Sequence, residues 1–330
     1  MSEEKLISRR RFAALLAAGA ASALLAASGC ARVDETAPTR PQPATDADAD
    51  DAPSEKGPFM IPDITLNSGH SMPVVGLGTW TLTNAQAETS TYAALSCGMR
   101  LIDTARYYAN EVGVGRGIRR AMDDGLVTRD EVFVTSKIYG GDYARAGGII
   151  DDALADLGLD HIDLLLIHQP GSDDAGVWRA MEEAHAAGKL RSIGISNYYT
   201  PTQVDAVLSF ATTPPAVIQN ENHVYYQNAQ LETYATERGI ALESWYPFCG
   251  RGHTQDAFGN ETVAAIAGAH GKTPAQAIVR WQAQTGRVVI PGSSNPDHIR
   301  ENFSVFDFEL TADEMAQMAA LDERRRYESW

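Results

Sequence analysis

Four residue types that work together in proton transfer stand at or just after the ends of apolar runs. The run 101–103 ends on Asp103, the run 132–137 ends on Lys137, and the run 162–168 ends on His168, while Tyr108 follows Asp103 by five residues. An ammonium group beside a phenol lowers the phenol pKa, and a carboxylate keeps that ammonium charged. A neutral imidazole donates a hydrogen bond that orients a carbonyl oxygen. Together these groups can protonate the oxyanion that forms when a hydride reaches a carbonyl carbon.

The spacing of these residues indicates the elements that position them. Asp103, Lys137 and His168 are 34 and 31 residues apart, which is one strand-helix-strand unit each. In parallel strands the three side chains leave the same face of a sheet or barrel, where such folds place their chemistry. Taken singly, each residue has a structural explanation, as a helix cap, an ion pair, a strand-end histidine or a packed aromatic. Their joint occurrence favours catalysis.

From Phe59 onward, strand-like runs alternate with helical stretches, as an α/β fold requires. Eight strands are predicted, at 74–77, 100–103, 132–137, 162–167, 192–196, 216–219, 241–245 and 288–291. Nine helices are predicted, at 85–97, 112–123, 145–157, 176–187, 201–209, 228–238, 261–270, 274–285 and 312–322. The segments 63–66 and 71–73 predict a hairpin that caps the bottom of the fold. We expect a (β/α)8 barrel, with a doubly wound open sheet as the alternative.

The segment Gly113-Val114-Gly115-Arg116-Gly117 is not a dinucleotide-binding fingerprint. Position 118 is Ile rather than Gly, and the segment lies inside a predicted helix, several residues past its strand. A Gly-rich phosphate loop is therefore not predicted there.

Composition narrows the function classes. The chain has 330 residues, of which 44% are hydrophobic and 21% charged, and this is typical of a globular protein. The formal net charge of −16 argues against nucleic-acid binding. Three cysteines do not form a disulfide framework, and we expect no metal site.

Residues 1–30 resemble an export signal. Ser8-Arg9-Arg10-Arg11-Phe12 is a twin-arginine pattern, followed by a charge-free run from 13 to 29. Small residues before Cys30 resemble a lipoprotein cleavage box, although Ala27 stands where Leu is preferred. We predict export by the twin-arginine machinery and a lipid anchor at Cys30 on the outer face of the cytoplasmic membrane. The alternatives are a soluble extracytoplasmic protein after simple cleavage, no cleavage, or a permanent membrane helix.

Residues 31–58 predict a disordered linker. The segment contains five prolines and the acidic run 46–51, and it has no aromatic residue, so it cannot bury enough apolar surface to offset the entropy of ordering. The 272 residues from 59 to 330 suit one barrel, which typically needs about 250 residues.

Several motifs together resemble the aldo-keto reductase family, in the right order from about Met60 to the C-terminus. They are Gly76-Leu77-Gly78-Thr79-Trp80, Ile102-Asp103-Thr104-Ala105, Tyr108-Ala109-Asn110-Glu111, Thr135-Ser136-Lys137, Leu165-Leu166-Ile167-His168-Gln169-Pro170, Gly194-Ile195-Ser196-Asn197-Tyr198, Gln219-Asn220-Glu221-Asn222-His223 and Ile290-Pro291-Gly292-Ser293-Ser294. The resemblance implies a barrel that binds NADP(H) or NAD(H) across its C-terminal face without a Gly-rich loop.

The resemblance also implies roles for individual residues. Tyr108 is the general acid, Lys137 its pKa partner and Asp103 the anchor of the lysine, while His168 orients the substrate carbonyl. Residues implied to bind the cofactor are Ser196, Asn197 and Gln219 at the nicotinamide carboxamide, Trp245 stacked on the ring, Ser293 at a 2′-phosphate, and Glu301 and Asn302 at the adenine. Trp80 and Tyr139, with His168, line the substrate pocket.

Two positions depart from the family pattern. Gly292 replaces the usual Lys after Ile-Pro, and His298 replaces the usual Arg six residues further on. Both normally grip the 2′-phosphate, so NADPH preference is weakened and NAD(H) becomes an alternative. Arg300 is close enough in sequence to substitute for the missing cation.

The function we expect is reduction of small aldehydes, ketones or sugars to alcohols, or the reverse oxidation, by a monomer. The C-terminal tail 322–330 is short, which predicts an open site. The alternative is a barrel that senses cofactor or binds partners at a surface without catalysis, because fold alone does not define function.

Overall fold

Strands and helices alternate through residues 62–138 and 145–328, which are the residues that the computed structural model describes. The strands are β1 (Asp63–Thr65), β2 (Ser71–Pro73), β3 (Gly76–Gly78), β4 (Leu101–Asp103), β5 (Phe133–Ile138), β6 (Ile162–Ile167), β7 (Leu190–Ser196), β8 (Val217–Glu221), β9 (Ala241–Trp245) and β10 (Val288–Val289). The α-helices are α1 (Asn84–Ser96), α2 (Glu111–Asp123), α3 (Ala146–Leu157), α4 (Asp174–Ala186), α5 (Pro201–Leu208), α6 (Ala229–Thr236), α7 (Thr254–Phe258), α8 (Glu261–Ala269), α9 (Pro274–Gln284), α10 (Pro296–Phe303) and α11 (Ala312–Ala319). The predicted signal and linker, and Tyr139, lie outside the described residues.

Strands β3 to β10 form one parallel sheet in sequential order. Its two edges meet through bridges between Val75 and Val289 and between Gly78 and Gly292, so the sheet closes on itself. Closure confirms the predicted (β/α)8 barrel, and the sequential strand order rules out the doubly wound alternative.

The N-terminal hairpin covers the bottom of the barrel, as predicted. Strands β1 and β2 pair antiparallel, and the turn between them contacts the barrel through two side chains. Asn67 donates to the carbonyl of Pro215, just before β8, over 2.8 Å, and the hydroxyls of Ser68 and Ser192 are 2.8 Å apart.

Side chains alternate along each strand between the barrel interior and the helices. The residues that point outward pack against the helices in the largest apolar cluster, which includes Ile102, Val134, Leu165 and Ile193. The inward-facing residues near the bottom form a second apolar cluster, which includes Leu101, Phe133, Leu164, Leu166, Val217 and Val288. Because inward positions recur every second residue, Asp103, Lys137, His168 and Gln219 continue these same rows toward the C-terminal ends of the strands.

The glycines of α2 allow close helix packing rather than phosphate binding. A Cβ atom at Gly113 would lie 2.2 Å from the carbonyl oxygen of Asn84, and one at Gly115 would lie 2.0 Å from the carbonyl oxygen of Leu157. Real Cβ atoms do not approach so closely, so only glycine lets the helix backbones meet here.

All nine predicted helices are present, but two further helices within residues 62–138 and 145–328 were missed. Helix α7 has only five residues and lies in a stretch for which no helix was predicted, whereas α10 carries a start signal that was overlooked. Asn295 accepts a hydrogen bond from the amide of Asp297 over 2.9 Å, and Pro296 occupies the first turn. Strand β8 also runs two residues beyond its predicted end at 219, to Glu221.

Candidate active site

Three neighbouring strands bring the predicted carboxylate, ammonium and imidazole together. Asp103 is the last residue of β4 and Lys137 lies near the end of the adjacent β5. Nζ of Lys137 is 2.5 Å from Oδ1 of Asp103 and 3.2 Å from the hydroxyl oxygen of Tyr108. It also donates to the carbonyl of Thr104 over 3.0 Å. A single buried ammonium therefore contacts both the carboxylate and the phenol.

A short 3₁₀ turn at Arg106–Tyr108 places the phenol over this ammonium. The next residue, Ala109, adopts a left-handed conformation with φ of 55°, which turns the chain into α2. Asn110 holds the turn, because it accepts a hydrogen bond from Thr104 over 2.7 Å and donates to the carbonyl of Thr79 over 2.9 Å. The position of Tyr108 is thus fixed from both sides of the turn.

His168 directly follows β6 and faces the phenol. Its backbone amide donates to the carbonyl of Ile138 over 2.7 Å, which continues the pairing of β5 and β6. The imidazole and the Tyr108 ring have centroids 5.6 Å apart and meet edge to face at 72°. The imidazole and the phenol therefore lie side by side at the mouth of the barrel.

Burial and Lys137 set the charge states of the phenol and imidazole. Burial alone would lower the pKa of Lys137, but Asp103 and Tyr108 raise it to about 12. Burial raises the pKa of Tyr108 to about 12, although Lys137 lowers it. The predicted effect of Lys137 on the phenol is therefore present, but the effect of burial, which was not predicted, is larger. Burial and then Lys137 hold the pKa of His168 well below its usual value. At neutral pH the ammonium is charged, the phenol keeps its proton and the imidazole is neutral.

The ends of β7 and β8 supply a second group of polar side chains. Asn197 follows β7 in a left-handed conformation with φ of 68°, which asparagine tolerates better than most residues. Its Nδ2 donates to the carbonyl of His168 over 2.8 Å and to Oγ of Ser196 over 3.2 Å. Nε2 of Gln219 donates to Asp103 over 2.7 Å and to Glu243 over 2.9 Å. These side chains extend the network from the ammonium toward β9.

This donor and acceptor set fits a nicotinamide carboxamide. Because the hydroxyl oxygen of Ser196 accepts from Asn197, its own O–H can donate to a ligand. Because Nε2 of Gln219 donates to two carboxyl groups, the amide presents its oxygen, Oε1, as an acceptor. A primary carboxamide offers the complementary pair, a carbonyl oxygen and an N–H.

A cavity of about 300 Å³ lies above these groups. Its wall includes the side chains of Tyr108, His168, Ser196, Asn197 and Gln219 at the base, with aromatic residues and Ser293 around them. The volume is at the lower end of the range for small-molecule sites. The site residues thus surround a space suited to a small reactant and a flat ring.

Aromatic side chains form one side of this cavity. Trp80 packs on Tyr108 with ring centroids 4.7 Å apart, and its Nε1 donates to the hydroxyl of Tyr246 over 3.2 Å. Trp245, the last residue of β9, also lines the cavity and contacts Tyr246 edge to face. Tyr246 was not among the predicted site residues, because it follows a strand end with a φ of 55° that no local motif indicates.

The remaining predicted residues divide between the cavity wall and α10. Ser293 lines the cavity, whereas Glu301 and Asn302 lie on α10 and do not form part of its described wall. Glu301 accepts a hydrogen bond from Thr273 over 2.6 Å, and Asn302 is buried. The structure therefore brings ten of the predicted side chains to one site, and leaves Glu301 and Asn302 outside its wall.

The C-terminal tail packs against residues that support the site, and none of its described residues lines the cavity. The buried carboxylate of Glu221 accepts the backbone amide of Tyr327 over 2.6 Å. Arg326 lies 3.7 Å from the centroid of the Tyr199 ring, and the hydroxyl of Tyr199 donates to Oδ1 of Asn197 over 2.9 Å. The tail thereby contacts the residue that supports Asn197.

Comparison with known proteins identifies the family of the chain. The Aldo/keto reductase family model matches residues 74–323. An NAD(P)H-dependent D-xylose reductase I,II of Candida tropicalis is 39% identical over 301 residues, covering 79% of this chain and 93% of its own. An aldo-keto reductase of Mycobacterium sp. (strain MCS) is 43% identical over 275 residues, covering 81% and 93%.

Solved structures give the same result. An aldo-keto reductase enzyme from a Medee basin deep-sea metagenome library superposes with a TM-score of 0.77 at 37% identity, covering 81% of this chain and 97% of its own. An aldo/keto reductase from Brucella melitensis gives 0.74 at 34% identity, covering 80% and 100%. The chain belongs to the aldo/keto reductase family. It is an NAD(P)-dependent oxidoreductase that interconverts carbonyl compounds and alcohols.

Proposed function

We propose that the chain reduces small aldehydes, including sugar aldehydes, with Tyr108 as the proton donor and NADH as the preferred reductant. The observation that carries the proposal is the position of Lys137, whose ammonium contacts both Asp103 and Tyr108 at the base of the cavity. The D-xylose reductase name of a 39% identical relative supports a small polyhydroxylated aldehyde as substrate. The small, aromatic-lined cavity supports the same substrate class.

Ser196, Asn197 and Gln219 would hold the nicotinamide, which would supply the hydride to the carbonyl carbon. Tyr108 transfers its phenolic proton to the carbonyl oxygen as negative charge develops there. Lys137 stabilises the resulting phenolate at 3.2 Å, and Asp103 holds the ammonium in place. The neutral imidazole of His168 orients the carbonyl oxygen. The proton would return to Tyr108 from solvent.

The test compares the wild-type chain with Tyr108→Phe. NADH titrated against both proteins should quench tryptophan fluorescence equally, because the substitution removes one oxygen at the base of the cavity. Reduction of D-xylose and of simple aldehydes should fall by about 10²- to 10⁴-fold, the range that a general acid contributes. Unchanged turnover in the variant would refute the assignment of Tyr108.

The preference for NADH rests on the region after β10. Gly292 and His298 replace two cations, and Arg300 is engaged elsewhere, since its guanidinium is 2.9 Å from Oδ1 of Asp297. Asp297 itself adds a negative charge four residues after Ser293. A 2′-phosphate would have to compete with the Asp297 carboxylate for Arg300, the one cation left among these three positions.

Gly292→Lys tests this preference and needs a matched control. A Cβ atom at position 292 would lie 3.0 Å from the carbonyl oxygen of Gly78, so any side chain there presses on the barrel seam. Gly292→Ala carries that steric effect without the charge. We expect the Kd ratio of NADPH to NADH to fall at least tenfold in the Lys variant relative to the Ala variant. Equal ratios would contradict our interpretation of the phosphate site.

We also propose that the chain is exported by the twin-arginine route and tethered to the outer face of the cytoplasmic membrane through Cys30. The twin-arginine pattern, the apolar run and the small residues before Cys30 support this. Within 62–138 and 145–328, no helix has the length and apolar character needed to cross a bilayer.

Fractionation of cells that express the full chain tests this location. Wild type should appear in the membrane fraction, and Cys30→Ser should be released to the extracytoplasmic fraction. The double variant Arg9→Lys/Arg10→Lys should remain in the cytoplasm. Cytoplasmic wild-type protein would contradict the proposal.

We also propose that the chain is a monomer. Light scattering on the released Cys30→Ser protein checks this, and we expect the mass of one chain.

A further inference from the structure

A buried glutamate outside the predicted site residues contacts the centre of the network. Glu243 lies on β9 two residues before Trp245, and the two-residue repeat of a strand turns its side chain into the barrel. Its Oε2 accepts a hydrogen bond from Nε2 of Gln219 over 2.9 Å. Its Oε1 is buried and has no hydrogen-bond partner among the described residues.

The surroundings of Glu243 disfavour a negative charge. Lys137 is the nearby cation, and its ammonium is bound to Asp103 at 2.5 Å. The Glu243 side chain makes no ion pair among the residues the structure describes, and Gln219 provides its one hydrogen bond. A buried carboxylate without a cation is costly. Of the two carboxyl groups that accept from Gln219, Asp103 has the ammonium, so Glu243 is the one that carries a proton. Burial, followed by the charge of Asp103, raises the pKa of Glu243 to about 8, in agreement with this geometry.

Glu243 also determines how the amide of Gln219 is oriented. One hydrogen bond from Nε2 to Asp103 would leave the amide free to turn about the line joining those two atoms. The second hydrogen bond, to Glu243, fixes the amide plane. Oε1 of Gln219 then has a defined direction, and it accepts no hydrogen bond within the described part of the chain although Gln219 lines the cavity.

We propose that Glu243 is a positioning residue for the cofactor: as an un-ionised acid it fixes the amide plane of Gln219, so that Oε1 accepts a hydrogen bond from the nicotinamide carboxamide. Glu243 does not touch the cofactor itself and acts through Gln219. The inference rests on the proposed function only in that NADH occupies this cavity.

The test uses a cofactor analogue that lacks the relevant N–H. Reduced 3-acetylpyridine adenine dinucleotide keeps the carbonyl oxygen but has a methyl group in place of the amide nitrogen. Binding of NADH and of this analogue is measured by tryptophan fluorescence and calorimetry for full-length wild type, Glu243→Gln and Glu243→Leu. The Gln variant keeps a neutral acceptor for Gln219, whereas the Leu variant fills the same space without one.

We expect wild type and Glu243→Gln to bind NADH about tenfold more tightly than the analogue, the effect of one well-made hydrogen bond. In Glu243→Leu the ratio should fall below about threefold through weaker binding of NADH. A merely structural role would weaken both ligands equally and leave the ratio unchanged, which would overturn the proposal. Loss of the ratio in the Gln variant as well would show that the charge of Glu243 matters, and would also overturn it.

Two controls separate other failures. Thermal unfolding checks that each variant folds, and Glu243→Met, which matches glutamate in length, replaces the Leu variant if leucine disrupts the barrel. Failure of wild type to bind either nucleotide would refute the proposed function rather than the role of Glu243.

Discussion

The un-ionised state of Glu243 predicts a specific dependence of stability on pH. Burial raises the pKa of this carboxyl group from an ordinary value of 4.5 to about 8 in the folded chain. Between these values the folded state holds one proton that the unfolded state has released. The contribution is fully present below about pH 4.5 and is lost as pH rises through about 8. The corresponding slope is about −1.4 kcal/mol in free energy of unfolding per pH unit.

Glu243→Gln isolates this contribution, since glutamine is nearly isosteric and does not titrate. From pH 5.5 to 7.5 wild type should lose about 3 kcal/mol relative to the variant, after all shared pH effects cancel. Urea unfolding of both full-length proteins at several pH values measures the difference. The carboxylic acid C=O stretch in the infrared spectrum, absent in the variant, reports the proton directly. Parallel stability curves would refute the argument, because they would mean that Glu243 is ionised in the folded chain throughout this range.

Three further substitutions test separate parts of the structure. Lys137→Met should lower the free energy of unfolding by about 3–5 kcal/mol, because it leaves Asp103 buried without its ammonium; adding Asp103→Asn should recover most of the loss in urea unfolding. Tyr199→Phe removes the hydrogen bond from the phenol to Asn197, worth about 1 kcal/mol, so the Kd for NADH should rise about fivefold while thermal unfolding shows that the variant still folds. An unchanged Kd counts against the role of Tyr199 in holding Asn197. Gly115→Ala places a Cβ 2.0 Å from a carbonyl oxygen of α3 and should lower the free energy of unfolding by about 1–3 kcal/mol without altering the Kd for NADH. An unchanged free energy of unfolding would refute our packing explanation.

The barrel and the centre of the site could be predicted because both depend on where strands end. An apolar run that stops on Asp103, Lys137 or His168 indicates a strand and, in a parallel barrel, also the face on which its last side chain lies. The spacing of these residues and the family motifs therefore predicted one cluster. The ion pair of Lys137 with Asp103 and its contact with Tyr108 agree with that expectation.

Other features depend on tertiary context that local patterns do not reveal. Glu243 lies inside a strand, between Leu242 and Ser244, and belongs to none of the motifs; its two-residue spacing from Trp245 is the signal that could have placed it in the interior. Tyr246 reaches the cavity through a backbone conformation with φ of 55°. The raised pKa of Tyr108 reflects how far the fold buries its phenol, which the sequence does not quantify. The start signal of α10, by contrast, was present at Asn295 and Pro296 and could have been used.

The interior of the barrel is apolar near the bottom and polar near the C-terminal ends of the strands, and Glu243 belongs to the polar part. Leu101, Phe133, Leu164 and Val217 fill the lower rows, and the same rows continue with Asp103, Lys137, His168 and Gln219. Apolar residues in the upper rows would stabilise the barrel, since buried ion pairs rarely exceed the contribution of packed hydrocarbon. The two carboxyl groups, of Asp103 and Glu243, share one ammonium, that of Lys137, so the network would lack one positive charge if both were ionised. A proton retained on Glu243 restores the balance. The network thus keeps the Lys137 ammonium beside Tyr108, where a phenolate must form, and orients Gln219 with a group that needs no cation.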